Sequence, residues 1–176
     1  PYWTGYVHTD LEVAAETVPA LGGQIFTMPT KSRMGTSFVF TDAGGAVLAA
    51  YDPSDSFTVP PSSRENEIVW QRLYSADNNA STIFYETLLG WHASEKADQT
   101  RAIHDSSGAK VGDMGAKPSW VDTDTWVYFI GVGDISTTAS AIESGTGSII
   151  ETTQARGQSA LVAKDSQGGV IGFVEC

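Results

Sequence analysis

Residues 70–91 read WQRLYSADNNASTIFYETLLGW, and this stretch decides the fold. It opens as a strand. Alternation sends Val69, Gln71, Leu73 and Ser75 to one face and Trp70, Arg72 and Tyr74 to the other. Asp77 or Asn78 then stands where a side-chain oxygen caps a helix by accepting from its free N–H groups. Ile83, Phe84, Leu88 and Leu89 recur at i, i+1, i+5 and i+6, an apolar stripe for one side of that helix. Gly90 supplies the left-handed residue that stops it before Trp91. The unit is a strand with a helix laid on one face and its other face open.

Working outward, the unit recurs. The first copy runs from Tyr2 to Tyr51: strand YWTGYVH, Asp10, a helix over about Leu11 to Leu21, the stop Gly22-Gly23, then strands QIFTM, TSFVFT and AVLAAY. Pro19 disfavours the last turn of that helix. Residues 52–66, DPSDSFTVPPSSREN, are polar, carry three prolines and have no periodicity, which reads as a linker. The second copy holds the opening stretch and continues with short strands at His92–Lys96, Thr100–His104 and Lys110–Met114. Asp105-Ser106-Ser107-Gly108 makes its hairpin turn, and Lys117 to Asp124 a loop. The third copy has strand TWVYFIGV, Asp134, a helix over about Ile135 to Glu143, then strands SIIETTQ, SALVAK and GGVIGFVE. Asp10 to Asp42 spans 32 residues and Asp134 to Asp165 spans 31, so the landmarks repeat. Each copy is strand-helix-strand-strand-strand.

Composition bounds the function. The chain has 176 residues, 41% hydrophobic and 18% charged, which is long enough and apolar enough for a real core. A net charge of −11 without a Lys/Arg cluster argues against nucleic acid as a partner. No apolar run approaches the roughly 20 residues that cross a bilayer, and no membrane partner is expected. The acidity fits a cytoplasmic protein. The single cysteine, Cys176, excludes an internal disulfide and a cysteine metal site.

The pattern W-x-x-x-x-x-x-D, then FYETLLGW, WVYFIGVGD and the glycine-rich turn before GGVIGFVE, resembles the vicinal oxygen chelate superfamily. That group includes glyoxalase I, extradiol dioxygenases and bleomycin-resistance proteins. The resemblance covers nearly the whole chain apart from the linker. It implies an α+β fold of repeated βαβββ modules, paired so that curled mixed sheets form a cup with the helices outside. Residues 67–176 would make one complete pair, 56–66 the linker, and 1–55 the second module of an incomplete pair. Its partner module would lie upstream or come from a second copy in a homodimer, covering an otherwise open sheet edge.

Family members that use a metal carry His, Gln or Glu on a module's first strand, seven residues before the cap Asp. They carry Glu on the last strand, seven after the turn Asp. Here the first-strand places hold Trp3, Trp70 and Val127; the last-strand places hold Ala49, Gly172 and, loosely, Val111-Gly112. None offers a side-chain ligand, and a catalytic metal needs about three. The resemblance therefore implies no metal, no cofactor and no catalytic residue. His8, on the helix side by alternation, His92 and His104 stand on separate elements without metal spacing. No nucleophile elbow, phosphate loop or dinucleotide fingerprint is present. What remains is a lined cavity: Trp70, Arg72 and Tyr74 from the second copy, Val127, Phe129 and Gly131 from the third, and Gly172 leaving volume on the far wall. Arg72 wants either an anionic ligand or an internal carboxylate such as Glu175 or Asp113. Two functions follow. One is a metal-free protein binding a small aromatic or anionic molecule. The other is a metal-dependent lyase or dioxygenase with part of its site in a missing or partner module.

Overall fold

A computed structural model describes residues 2–54, 65–95 and 100–176. In chain order these form β1 (Gly5–His8), α1 (Leu11–Ala20), β2 (Gln24–Ile25), β3 (Thr30–Lys31), β4 (Gly35–Thr41) and β5 (Val47–Pro53). Next come β6 (Ile68–Ser75), α2 (Asn78–Leu89), β7 (His92–Glu95), β8 (Arg101–His104) and β9 (Lys110–Ala116). The last are β10 (Thr125–Val132), α3 (Ile135–Ser144), β11 (Ser148–Ala155), β12 (Gln158–Lys164) and β13 (Val170–Glu175). The α+β reading holds. In each copy the first strand pairs parallel with the last, β1 with β5, β6 with β9 and β10 with β13, and the last pairs antiparallel with the strand before it.

The landmark aspartates explain why the three copies fold alike. Asp10, Asp77 and Asp134 each cap their helix through a side-chain oxygen. Asp42, Asp105 and Asp165 each turn a hairpin with Oδ1, accepting from the N–H groups two and four residues on. A short carboxylate at these six places closes the local backbone through hydrogen bonds to N–H groups no more than four residues away.

Contacts divide the described chain into two compact units, residues 2–3, 65–71 and 127–176, and residues 4–54, 72–95 and 100–126. In the larger unit, Ala14 and Val18 of α1 are fully buried together with Phe38, Phe40, Leu48 and Ala50 of β4 and β5. Phe84 of α2 stacks on Phe40 with centroids 6.4 Å apart, so the first module rests on the second module's helix. Burying each such ring contributes about 1.5–3 kcal/mol. In the smaller unit β10 to β13 carry the core, with Phe129, Val127, Val162 and Val174 at 0% exposure, while α3 buries no residue fully.

Four expectations need correction. The buried stripe of α2 is Ser81, Phe84, Tyr85 and Leu88, whereas Ile83 is 60% exposed. The spacing i, i+3, i+4, i+7 is the true helical period, and a polar serine and a tyrosine occupy two of its places. α1 keeps Pro19 inside its last turn and ends at Ala20. The expected strand QIFTM shortens to Gln24–Ile25, because Thr27 Oγ1 accepts Val39 N–H and Pro29 follows; Thr30–Lys31 then pairs separately with β4. His8 shares the face of Tyr6, which is 53% exposed and packs edge-on against Tyr51, so it is not on the helix side. Of the expected linker, residues 55–64 lie outside the described residues. Asn66 donates its N–H to Gly131 O at 2.7 Å.

Candidate functional site

Arg72 and Asp113 meet because β6 and β9 run parallel with these two residues in register. The hairpin turn from Asp105 is the same as in the third module, but β9 carries one extra residue where its register with β8 shifts between Ile103 and His104. That bulge moves every later side chain of β9 along by one. Phe129 pairs with Gly172 in the third module; the matching pair in the second is Arg72 with Asp113. The last-strand place of the second module therefore holds Asp113 rather than Val111-Gly112. A carboxylate stands where the unshifted count finds none.

That carboxylate is committed. Arg72 Nε donates to Asp113 Oδ1 at 2.5 Å and Nη2 to Oδ2 at 3.0 Å, a bidentate pair with 9% and 2% of the two residues exposed. Burial alone would lower the affinity of Arg72 for its proton, but the hydrogen bonds and charge of Asp113 outweigh it and hold the guanidinium charged well above its ordinary range. Tyr74, two residues on, lies beneath the guanidinium at 5.8 Å and meets Trp120 edge-on at 5.3 Å. Of the two partners that Arg72 called for in sequence, an internal one is present, and of Glu175 and Asp113 it is Asp113.

Trp70, Val127, Phe129 and Gly172 fall in the other compact unit, with Trp70 7% exposed and Val127 and Phe129 at 0%. Gly172 does not leave open volume. A Cβ built there would lie 2.4 Å from Phe129 Cδ1, so the ring already occupies the space. Glycine is needed at this place to let an aromatic side chain lie flat on the neighbouring strand.

Among the described residues no group of three or more His, Cys, Asp and Glu is arranged to hold an ion. His92 and His104, separate in sequence, become cross-strand neighbours on β7 and β8, with His92 Nδ1 3.6 Å from Glu86 Oε1 on the exposed surface. They supply no third ligand.

The larger unit also holds a cleft of about 250 Å³ lined by residues that sequence reasoning did not assign to a site, Asp124, Ser81, Phe84 and Lys117 among them, together with the turn residue Asp42. Asp42 is 3% exposed and accepts from Gly44 N at 3.0 Å, Ala46 N at 2.8 Å and Tyr85 Oη at 2.8 Å. Tyr85 Oη in turn accepts from Trp126 Nε1 at 2.8 Å. Asp124, 4% exposed, accepts from Ser75 Oγ at 2.7 Å and Ala76 N at 2.9 Å. Burial pushes the Asp42 carboxyl above its ordinary value despite these donors, and the charge of Asp124 adds to the shift. The sequence signal was the Tyr85 in FYETLLGW, a hydroxyl on the buried side of a helix.

No family model matches the chain, and no curated protein is similar to it. Solved structures are. The Mn(II)-bound glyoxalase from Novosphingobium aromaticivorans is 11% identical with a TM-score of 0.61, over 97% of this chain and 61% of that one. The 2,2',3-trihydroxybiphenyl 1,2-dioxygenase from dibenzofuran-degrading Sphingomonas wittichii strain RW1 is 14% identical with a TM-score of 0.59, over 97% of this chain and 69% of that one. The chain thus spans less than two thirds of the glyoxalase's length. At such identities the likeness is one of fold.

Proposed function

We propose that this chain, which has the fold of the vicinal oxygen chelate superfamily, is a glyoxalase- or bleomycin-resistance-like protein that binds a small molecule without a metal. The observation that carries this reading is the closed Arg72–Asp113 pair: the one carboxylate at a ligand place is held bidentately by a guanidinium. The pair is neutral as a whole, so it offers little net attraction to an anion, and the aromatic half of the expectation is favoured over the anionic half. In this reading the aromatic face of Tyr74, beside Trp120, is the kind of surface such a ligand stacks on. The domain reading, 1–55 as a single module and 67–176 as a complete pair, belongs to the same proposal.

Asp113 also favours a second reading, since it is a carboxylate at a place where relatives bind an ion. In that reading the chain is part of a metal-dependent lyase or dioxygenase, with other ligands in a further module. Metal analysis of the purified chain separates the two. Substoichiometric metal together with a small molecule retained in a native mass spectrum is the expected result. Stoichiometric manganese, iron, nickel or zinc overturns the first reading in favour of the second.

A further inference from the structure

The three hairpin-turn aspartates are a controlled comparison within one chain. Asp42, Asp105 and Asp165 each accept two backbone N–H groups through Oδ1 in the same turn. Asp105 and Asp165 are partly open to water, and the hydrogen bonds of their turns, Ser107 Oγ to Asp105 foremost, hold both carboxyls below the ordinary range. Asp42 has a further donor in Tyr85 and is nonetheless shifted the opposite way. What differs is its setting. Its turn is pressed into the unit until a Cβ at Gly44 would come 2.1 Å from Asp124 Oδ2, and Asp124 N–H donates to Gly44 O at 3.1 Å. One glycine separates two buried carboxylates.

The charged and titratable groups facing this pair come from every element around it. α2 contributes Tyr85 and its cap Asp77, and the segment before β10 contributes Lys117, Asp122 and Asp124 itself. Lys117 Nζ donates to Asp122 O at 2.5 Å. Among the described residues neither Asp42 nor Asp124 has an ion-pair partner; their donors are neutral. Two buried carboxylates held only by neutral groups cannot both remain charged at low cost. Both line the cleft described above, and lifting the turn of the first module from α2 would open them further to water.

We propose that Asp42 and Asp124 form a proton-linked latch: the pair takes up a proton when the first module's turn is seated against α2 and releases it when the turn lifts. Acidification then tightens the seating, and rising pH loosens it. Nothing in this depends on which ligand the protein binds.

The test follows the full chain through urea unfolding from about pH 4 to pH 8, for wild type, Asp42→Asn and Asp124→Asn. The ratio of the wild-type to the Asp42→Asn folding constant should rise as pH falls, by up to about tenfold per pH unit between the unseated and seated proton affinities. Asp124→Asn should retain a weaker version of the same slope. A ratio that is flat, or that falls with acidification, overturns the latch. A carboxyl-carbon NMR titration of the wild type decides the matter even where a variant fails to fold. Asp42 should titrate above Asp105 and Asp165, and a midpoint at or below theirs overturns the proposal.

Discussion

At the scale of single residues, the Arg72–Asp113 pair makes the sharpest prediction. Both residues are buried, so removing one takes the bidentate, charge-balancing partner from the other. Arg72→Leu should cost about 3–5 kcal/mol in urea unfolding, and adding Asp113→Leu should restore much of the loss. If Arg72→Leu alone is close to neutral, the pair is not closed in solution and Arg72 is available to a ligand. Gly172 gives a second residue-scale test. Gly172→Ala places a methyl group in the Phe129 ring and should cost about 1–3 kcal/mol, read as a lower thermal midpoint. Combining it with Phe129→Leu should recover part of that. An unchanged midpoint for Gly172→Ala would show that the ring moves freely.

At the scale of elements, the helices are held by carboxylate caps, which makes their contributions comparable. Asp77 accepts from Asn79 and Ala80 N–H groups at the start of α2, the helix on which the first module rests. Asp77→Ala should cost about 1 kcal/mol by the usual scale for a lost cap. A larger loss would mean that α2 transmits the damage to the Phe40–Phe84 stack. The elements were largely legible in sequence: all three helices start at the aspartates that mark them, and Gly90 ends α2 with φ 65°. The misreadings have local causes. Ile83 and Leu89 look more apolar than Ser81 and Tyr85, yet period and hydrogen bonding determine which side chains turn inward. The β9 bulge left no composition signal, and it moved one carboxylate into register with Arg72.

At the scale of the whole molecule, acid response divides by burial. Folded-state values for Asp105, Asp134 and Asp165 lie below the ordinary carboxylate value. Their hydrogen bonds contribute stability above the unfolded value, and this is lost as pH falls through the folded ones. Asp42 works in reverse, contributing stability below its unfolded value that is lost as pH rises through the folded one. Stability plotted against pH should therefore rise on mild acidification and fall again at stronger acid. Asp165→Asn should blunt only the acid-side fall, measured as urea midpoint. Among the described residues no helix is long and apolar enough to cross a membrane. The sequence by itself determined the repeat, the helix starts, the hairpin turns and the fold class, since caps, turns and hydrophobic period act within a few residues of one another. Only the tertiary structure decided that Asp113 stands beside Arg72, that Phe129 fills the hollow over Gly172, and that one turn aspartate of three is driven out of water. Those outcomes depend on strand register and burial between residues up to 82 positions apart, from Asp42 to Asp124, and no local pattern encodes them.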